Sequence, residues 1–218
     1  MTRLIDLSHR LSPNMPSYPG LPEPQFRVWR SHEETARLGN YAEGTTFQFA
    51  HYEFGGNTGT YVDAPIHRFP EGDDIAGVPL EKLANLQGLV VDAPSGGIGP
   101  DAFNGLDVEN KAVLVRTGWS GRWGTSGYFQ SGPYLTAEAC TYLVEAGAAL
   151  VGIDCANIDN MTDPARPAHT ILLRAGLPVV EHLTNLAAIP GGAFRFFAVP
   201  PAVEGGTSFV VRAFAICD

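Results

Sequence analysis

Apolar and polar positions along this chain change over in short blocks, most of which read as strands. Residues 4–11 predict a strand running into a loop, and Phe26-Arg27-Val28-Trp29 predicts a second strand. Residues 45–50 alternate polar and apolar, the pattern of a half-buried strand. Gly55-Gly56 then interrupts the pattern, and residues 57–67 read as a loop or tight bend. Leu89-Val90-Val91-Asp92 and Ala112-Val113-Leu114-Val115-Arg116 are β-branched runs that suit buried central strands. Residues 136–146 give the clearest helix. Thr136 caps it, Glu138 sits in the first turn where a negative charge suits the helix dipole, and Gly147 ends it. An apolar strand follows at residues 149–154, a helix at 169–175 and a strand at 178–181. Residues 194–199 and 209–216 look like a closing pair of strands. A strand, a helix and another strand in succession favour an α/β fold with a central mixed sheet.

Length and composition narrow this picture. A chain of 218 residues without a compositional break suits one domain over residues 1–218. The 25 glycines and 17 prolines point to many ordered loops, and the Pro-rich residues 13–24 must be extended or turned. A net charge of −9 argues against nucleic acid as a partner, and no run of like charge suggests a membrane patch. The low charged fraction, 17%, hints at surface buried between subunits. No apolar leader and no apolar span long enough for a bilayer is present, so a cytoplasmic protein is expected. Cys140, Cys155 and Cys217 are widely spaced and form no C-x-x-C pair. They fit a reducing compartment, and Cys140 and Cys155 sit in apolar surroundings as inert core thiols.

Candidate chemistry gathers in two places. Residues 55–67 combine glycines, threonines, Asn57, Tyr61, Asp63 and His67, with Asp63 and His67 four apart. Asp154, Asn157, Asp159, Asp163 and His169 form a second polar cluster after a strand, and Glu181-His182 follows another. Polar groups at strand ends are where α/β folds place ligand sites. Two carboxylates and an imidazole make a credible set for a divalent ion, although the same residue types also serve as turn formers and structural histidines. The P-loop, G-x-G-x-x-G, G-x-S-x-G and H-E-x-x-H patterns are all absent.

The stretch from Asn57 to His67 resembles H-x-G-T-H-x-D-x-P-x-H, the motif of the cyclase and kynurenine-formamidase family. It matches at Gly59, Thr60, Asp63, Pro65 and His67. The start (Ile5-Asp6-Leu7-Ser8, Pro16, Tyr18-Pro19-Gly20), the central Leu114-Val115-Arg116-Thr117-Gly118-Trp119 and the later Val151-Gly152-Ile153-Asp154, Asp159, His169 and Val180-Glu181-His182 are similar to the family in the same order. The resemblance implies a swivelling β/β/α-type fold, a homodimer or tetramer, and metal-dependent hydrolysis of amides or lactones. Position by position, it implies Asp63, His169 and Glu181 as metal ligands and His67 as the acid–base group. Two motif histidines are replaced here, by Asn57 and Tyr61. Asn offers a neutral carbonyl oxygen, and Tyr offers a phenol that must ionise to bind metal well.

Two routes follow. In the first, one divalent ion (Zn or Mn) on Asp63, His169 and Glu181 activates water, His67 carries the proton, and the substrate is a small aromatic or cyclic amide or lactone. In the second, Tyr61, His67 and Asp63 act without metal as a cyclase or dehydratase. A binding protein on the same fold is the non-catalytic alternative. Asn57, Thr60, Arg68 and Trp119 are the expected substrate contacts, with Arg68 placed to meet a carboxylate. Tyr41, Phe47, Tyr52, Phe54, Phe69, Trp119, Trp123 and Tyr128 are the expected aromatic lining.

Overall fold

The structure, a computed structural model, describes residues 2–13, 15, 17–93 and 96–217. Pro16, part of the resemblance at the start of the chain, lies outside the described residues. The elements in chain order begin with β1 (Arg3–Asp6), β2 (Gln25–Arg30), α1 (His32–Arg37), β3 (Phe49–Glu53) and β4 (Tyr61–Asp63). The middle of the chain holds β5 (Leu86–Asp92), β6 (Gly97–Ile98), β7 (Lys111–Arg116), β8 (Tyr134–Leu135), α2 (Ala137–Glu145) and β9 (Leu150–Ile153). The chain closes with α3 (Pro167–Arg174), β10 (Val179–Glu181), β11 (Phe194–Phe197), β12 (Ser208–Val210) and β13 (Phe214–Cys217).

Nine of the strands form one mixed sheet in the order β1-β13-β11-β5-β7-β9-β10-β4-β12. The centre, β5-β7-β9-β10, is parallel, and antiparallel strands flank it on both sides. Of the central strands, β7, β9 and β10 are buried on both faces, as their apolar runs require. Along β7, Ala112 and Leu114 join one core with Leu7, Leu150, Val180 and Phe196. Val113 and Val115 join the other, under Leu143 of α2 and Leu172 of α3.

The strand expected at residues 209–216 is two strands. β12 pairs with β4 at one edge of the sheet, and β13 pairs with β1 and β11 toward the other. Only residues 211–213 separate them, and three residues reach ~10 Å. The sheet must therefore curl until its edges nearly meet. The short link is tied to both sides: Val211 N–H donates to the Thr60 carbonyl (2.9 Å), and Ala213 N–H to Ser8 Oγ (2.7 Å). This curl brings β4 beside the chain start and forms the wall of the site.

α2 starts where local chemistry places it. Thr136 Oγ1 accepts from Ala139 N–H at 3.3 Å, and Gly147 takes φ of +76° just past the end, a conformation that costs glycine little. The strand expected at residues 45–50 lies instead at β3 and is exposed throughout. It pairs only with β2, in a two-stranded ribbon, so no second layer buries either face. Phe47 N–H and C=O are both taken by Thr35 Oγ1 of α1, which removes that backbone from any ladder. The ribbon and its surroundings leave Trp29, Tyr52, Phe49, Phe47 and Tyr41 exposed.

Candidate active site

Residues 57–67, expected as a loop, contain strand β4 and the single 3₁₀ turn Pro65–His67. Tertiary pairing creates that strand, because β4 is hydrogen-bonded on both sides, to β10 and to β12. Alternation along β4 puts Tyr61 and Asp63 on one face. Register places Glu181 of β10 opposite Tyr61, and the buried phenol donates a hydrogen bond to Glu181 Oε2. Beyond β4, the 3₁₀ turn folds the chain back so that His67 Nδ1 stands 3.7 Å from Asp63 Oδ1. α3 contributes His169, whose Nε2 lies 3.6 Å from Asp63 Oδ2 and 3.7 Å from Glu181 Oε1. Four of the expected groups, Asp63, His67, His169 and Glu181, thus meet at one point.

Asp159 builds this arrangement from outside it. Its carboxylate accepts from the backbone N–H of Ala168 (2.6 Å) and of His169 (3.2 Å), and it meets His169 Nδ1 at 2.5 Å. One side chain therefore caps α3 and fixes the imidazole, leaving Nε2 turned to the carboxylates. This remote cap also explains why α3 begins at Pro167, ahead of the expected residue 169. The residue before it, Arg166, offers no cap and takes φ of +48°.

The charges of the cluster are set by burial and by one another. Burial alone would lower the His169 pKa, but the bond to Asp159 and the nearby negative charges of Asp63 and Glu181 outweigh it and hold the ring protonated, well above its ordinary range. Burial pushes Glu181 up to about 7; His169 opposes the shift and Asp63 adds to it. Burial, then the charges of Glu181 and Asp63, raise Tyr61 well above 10, so its phenol stays neutral and acts as a donor.

This clarifies the two replaced motif positions. Asn57 accepts from Ser208 Oγ at 2.9 Å and donates from Nδ2 toward Asp63 Oδ1 at 3.5 Å. A Cβ on Gly56 would stand 2.2 Å from the Ser208 carbonyl oxygen, so glycine is what lets the chain pass close enough to seat Asn57. Both replacements donate to the remaining carboxylates where imidazoles would have offered lone pairs. The groups left still fit one divalent ion. Asp63 Oδ2 is buried without a hydrogen-bond partner, and ligand atoms of Asp63, His67 and His169 lie within 4.8 Å of one another. Carboxylate oxygen and imidazole nitrogen suit Zn²⁺ or Mn²⁺, and binding there would release the proton from His169.

His67, His169 and Glu181 line a cavity of about 370 Å³ with Asp63 buried behind them, and its lining also includes Tyr18, Leu21, Asn57, Arg68, Asn157 and Arg166. The expected aromatic lining is not there. Trp119 opens onto a different cleft, with its Nε1–H given to the Tyr128 carbonyl at 2.9 Å, so it does not contact this site. Trp123 and Tyr128 pack on His9 and His182, and Phe69 packs in the core beside α3. The cavity's aromatic lining is Tyr61 together with Tyr18, which comes from the Pro-rich segment, where no local pattern marked it. Thr60 is a tie and lines no cavity wall: its Oγ1 accepts from His9 N–H (3.0 Å) and donates to the His182 carbonyl (2.6 Å). Asp154 staples the Thr117–Gly118 turn, and Asp163 accepts from Ala165 N–H in an exposed turn. Of the second polar cluster only Asn157, Asp159 and His169 belong to the site.

Behind Tyr61 lies His182, 2% exposed, with both ring nitrogens unpartnered. Burial, with His9 adding, drives its pKa down to about 3 from 6.5. The ring is neutral in the fold and takes a proton on unfolding. Its contribution to stability is intact above pH 6.5 and is lost as pH falls from 6.5 toward 3. By pH 4 the loss is roughly 3 kcal/mol. His182→Asn suits the left-handed φ of 57° at this position. Its melting temperature should fall less between pH 7 and pH 4 than that of the unaltered protein. Parallel curves would show that His182 is not held neutral.

Residues 5–160 match the Cyclase family. The chain is 29% identical over 216 residues to the kynurenine formamidase of Salinibacter ruber, covering 96% of this chain and 95% of that protein. Among solved structures it is similar to isatin hydrolase A from Labrenzia aggregata bound to benzyl benzoate, with a TM-score of 0.83, 24% identity, and coverage of 99% of this chain and 93% of that one. It also shares the fold of a structure described as a potential metal-dependent hydrolase with cyclase activity, with a TM-score of 0.80, 23% identity, and coverage of 99% and 98%.

Proposed function

This chain belongs to the Cyclase family and is an enzyme of the hydrolase kind, and on that premise we propose that it cleaves the C–N bond of a small aromatic amide with water. Aryl formamides come first, and cyclic amides or lactones second. The observation that carries this reading is the meeting of Asp63, His67 and His169, with both imidazoles lining one cavity and the carboxylate buried behind them. The names of the similar proteins, a kynurenine formamidase and an isatin hydrolase, support the aromatic substrate.

His67 is the one member of the cluster that reaches solvent, with a side chain 33% exposed. It takes the proton from the attacking water and returns it to the departing amine nitrogen. Asp63 stands 3.7 Å from Nδ1 of that ring and sets its orientation. His169, locked by Asp159, presents Nε2 between Asp63 and Glu181. A divalent ion held by Asp63 and His169, with Glu181 rather than His67 as the third donor, would supply carbonyl polarisation and a more acidic water. Tyr61 keeps Glu181 in place by its hydrogen bond, and Asn57 does the same for Asp63. Turnover of the carbonyl thus falls where water, an acid–base imidazole and a polarising site converge.

The Tyr61–Glu181 hydrogen bond favours one second reading, a metal-free route in which Tyr61, His67 and Asp63 move the protons. Elemental analysis and chelation separate the two. The metal reading expects about one equivalent of Zn or Mn, with turnover lost on chelation and restored by either ion. The metal-free reading expects full turnover after chelation and its loss in Tyr61→Phe. The exposed aromatic side chains around the β2–β3 ribbon support a homodimer, and three buried free cysteines support a reducing, cytoplasmic location.

A further inference from the structure

Asn157 lines the cavity with His67, His169 and Glu181 but, among the described residues, makes no hydrogen bond to any of them. It sits in the loop that leaves β9, and that loop is pinned to the cluster. Ile158 N–H donates to Glu181 Oε1 at 2.5 Å, and Asp159 holds His169. The carboxamide of Asn157 is pinned as well. Its Oδ1 accepts from Asp159 N–H at 2.9 Å, closing an Asx turn, and from Arg166 Nη1 at 3.4 Å. Arg166 takes a φ of +48° there, a conformation uncommon outside glycine and often retained at functional positions. With Oδ1 turned to two donors, Nδ2 must point the other way. Among the described residues Nδ2 meets no acceptor, yet it is not a buried orphan, so it opens onto the cavity that its residue lines. Tyr61 and Asn57 have already given their donors to Glu181 and Asp63. Asn157 Nδ2 is a neutral donor left free beside the cluster.

We propose that Asn157 is a catalytic residue, whose Nδ2–H donates to the carbonyl oxygen of the substrate amide and holds the oxyanion that forms there. This rests on the hydrolase reading above. When water attacks, its oxygen bonds to the carbonyl carbon, its proton goes to His67, and the π pair moves onto the carbonyl oxygen. The charges of Asp63 and Glu181 oppose that oxyanion, so a donor aimed at it gains most in the transition state. When the C–N bond breaks, the pair on oxygen reforms the carbonyl. The bonding pair leaves with nitrogen, which takes its proton from His67. Asn157 gains and loses no atom. The Asp159 N–H and Arg166 set its carboxamide in advance, so no reorganisation is needed as the charge develops.

Asn157→Ser tests this. Its hydroxyl can still accept from Asp159 N–H and keep the turn, but it withdraws the donor. For formanilide kcat should fall about a hundred-fold, with KM changed by less than about two-fold. Thioformanilide puts sulfur, a weaker acceptor, in place of the carbonyl oxygen. That exchange should lower kcat/KM at least about ten-fold more in the unaltered protein than in Asn157→Ser. A loss of turnover with an unchanged sulfur penalty would leave Asn157 only the holding of the Asp159 turn and overturn the proposal. A loss below about five-fold would overturn it as well. A second readout needs no turnover. Acetophenone offers a carbonyl with no bond to hydrolyse, and α-methylstyrene has the same shape without the oxygen. At saturation acetophenone should move an Asn157 side-chain amide proton downfield in the NMR spectrum, a signal identified by its absence from Asn157→Ser, and α-methylstyrene should not. No shift, or the same shift with both, overturns the proposal. If formanilide is not hydrolysed but acetophenone still moves that proton, the hydrolase reading fails and the carbonyl contact stands.

Discussion

Asp63→Asn is expected to lower kcat/KM for an aryl formamide at least about a thousand-fold while the protein stays folded. Asp63 is completely buried, and its carboxylate is the group shared by both imidazoles, 3.7 Å from His67 and 3.6 Å from His169. Asn has nearly the same shape but no charge, so it can neither place a negative charge beside the two imidazoles nor offer an anionic oxygen to a metal ion. Asn57 can still contact the new amide, and the flanking ladders of β4 to β10 and β12 use only backbone. Steady-state kinetics beside a thermal melt checks both halves. A loss of less than ten-fold would take Asp63 out of the chemistry.

Asp159→Ala is expected to be the costliest change to the fold near the site. It removes the partner of a buried charged imidazole and the cap of α3 in one step. Deleting one member of a buried pair costs about 3–5 kcal/mol, because the other is left charged and unpaired. For a chain of this size the melting temperature should drop by roughly 10 °C. Asp159→Asn keeps shape and some capping, so it should melt closer to the unaltered protein and lose roughly 10–100-fold in turnover through a poorly held His169. If Asp159→Ala melts within about two degrees of the unaltered protein, His169 is not charged in the fold.

The sequence was most legible where the deciding forces are local. The β-branched run at residues 112–116 is β7, buried on both faces, and Thr136 with Gly147 frames α2 as expected. Asp63 and His67 were legible through the motif, His169 and Glu181 through the wider resemblance, and the four converge. What escaped was set by distant contacts. β4 is a strand because β10 and β12 pair with it. Residues 209–216 split because the curled sheet must be crossed between its edges. α3 is capped by Asp159, eight residues ahead of its start at Pro167. The aromatic lining was misread for the same reason. Tyr18 reaches the cavity from a Pro-rich segment without periodicity, while Trp123 and Tyr128 pack behind the site on His9 and His182. Arg166 gave no signal at all, since its role depends on a backbone conformation visible only in three dimensions.

The site differs from its motif in a consistent direction. Each replaced histidine has become a hydrogen-bond donor to a carboxylate that stayed: Tyr61 to Glu181, and Asn57 toward Asp63. Such donors lower the electrostatic cost of keeping two carboxylates and an imidazolium together in a buried space.

The most direct test of amide hydrolysis at this site is formate release from formanilide and 2-formamidobenzoate, followed by NMR with Zn²⁺ or Mn²⁺ present. The predicted result is one formate and one amine per amide consumed, from the unaltered protein and not from Asp63→Asn. No formate from either amide, or equal release by Asp63→Asn, would contradict it.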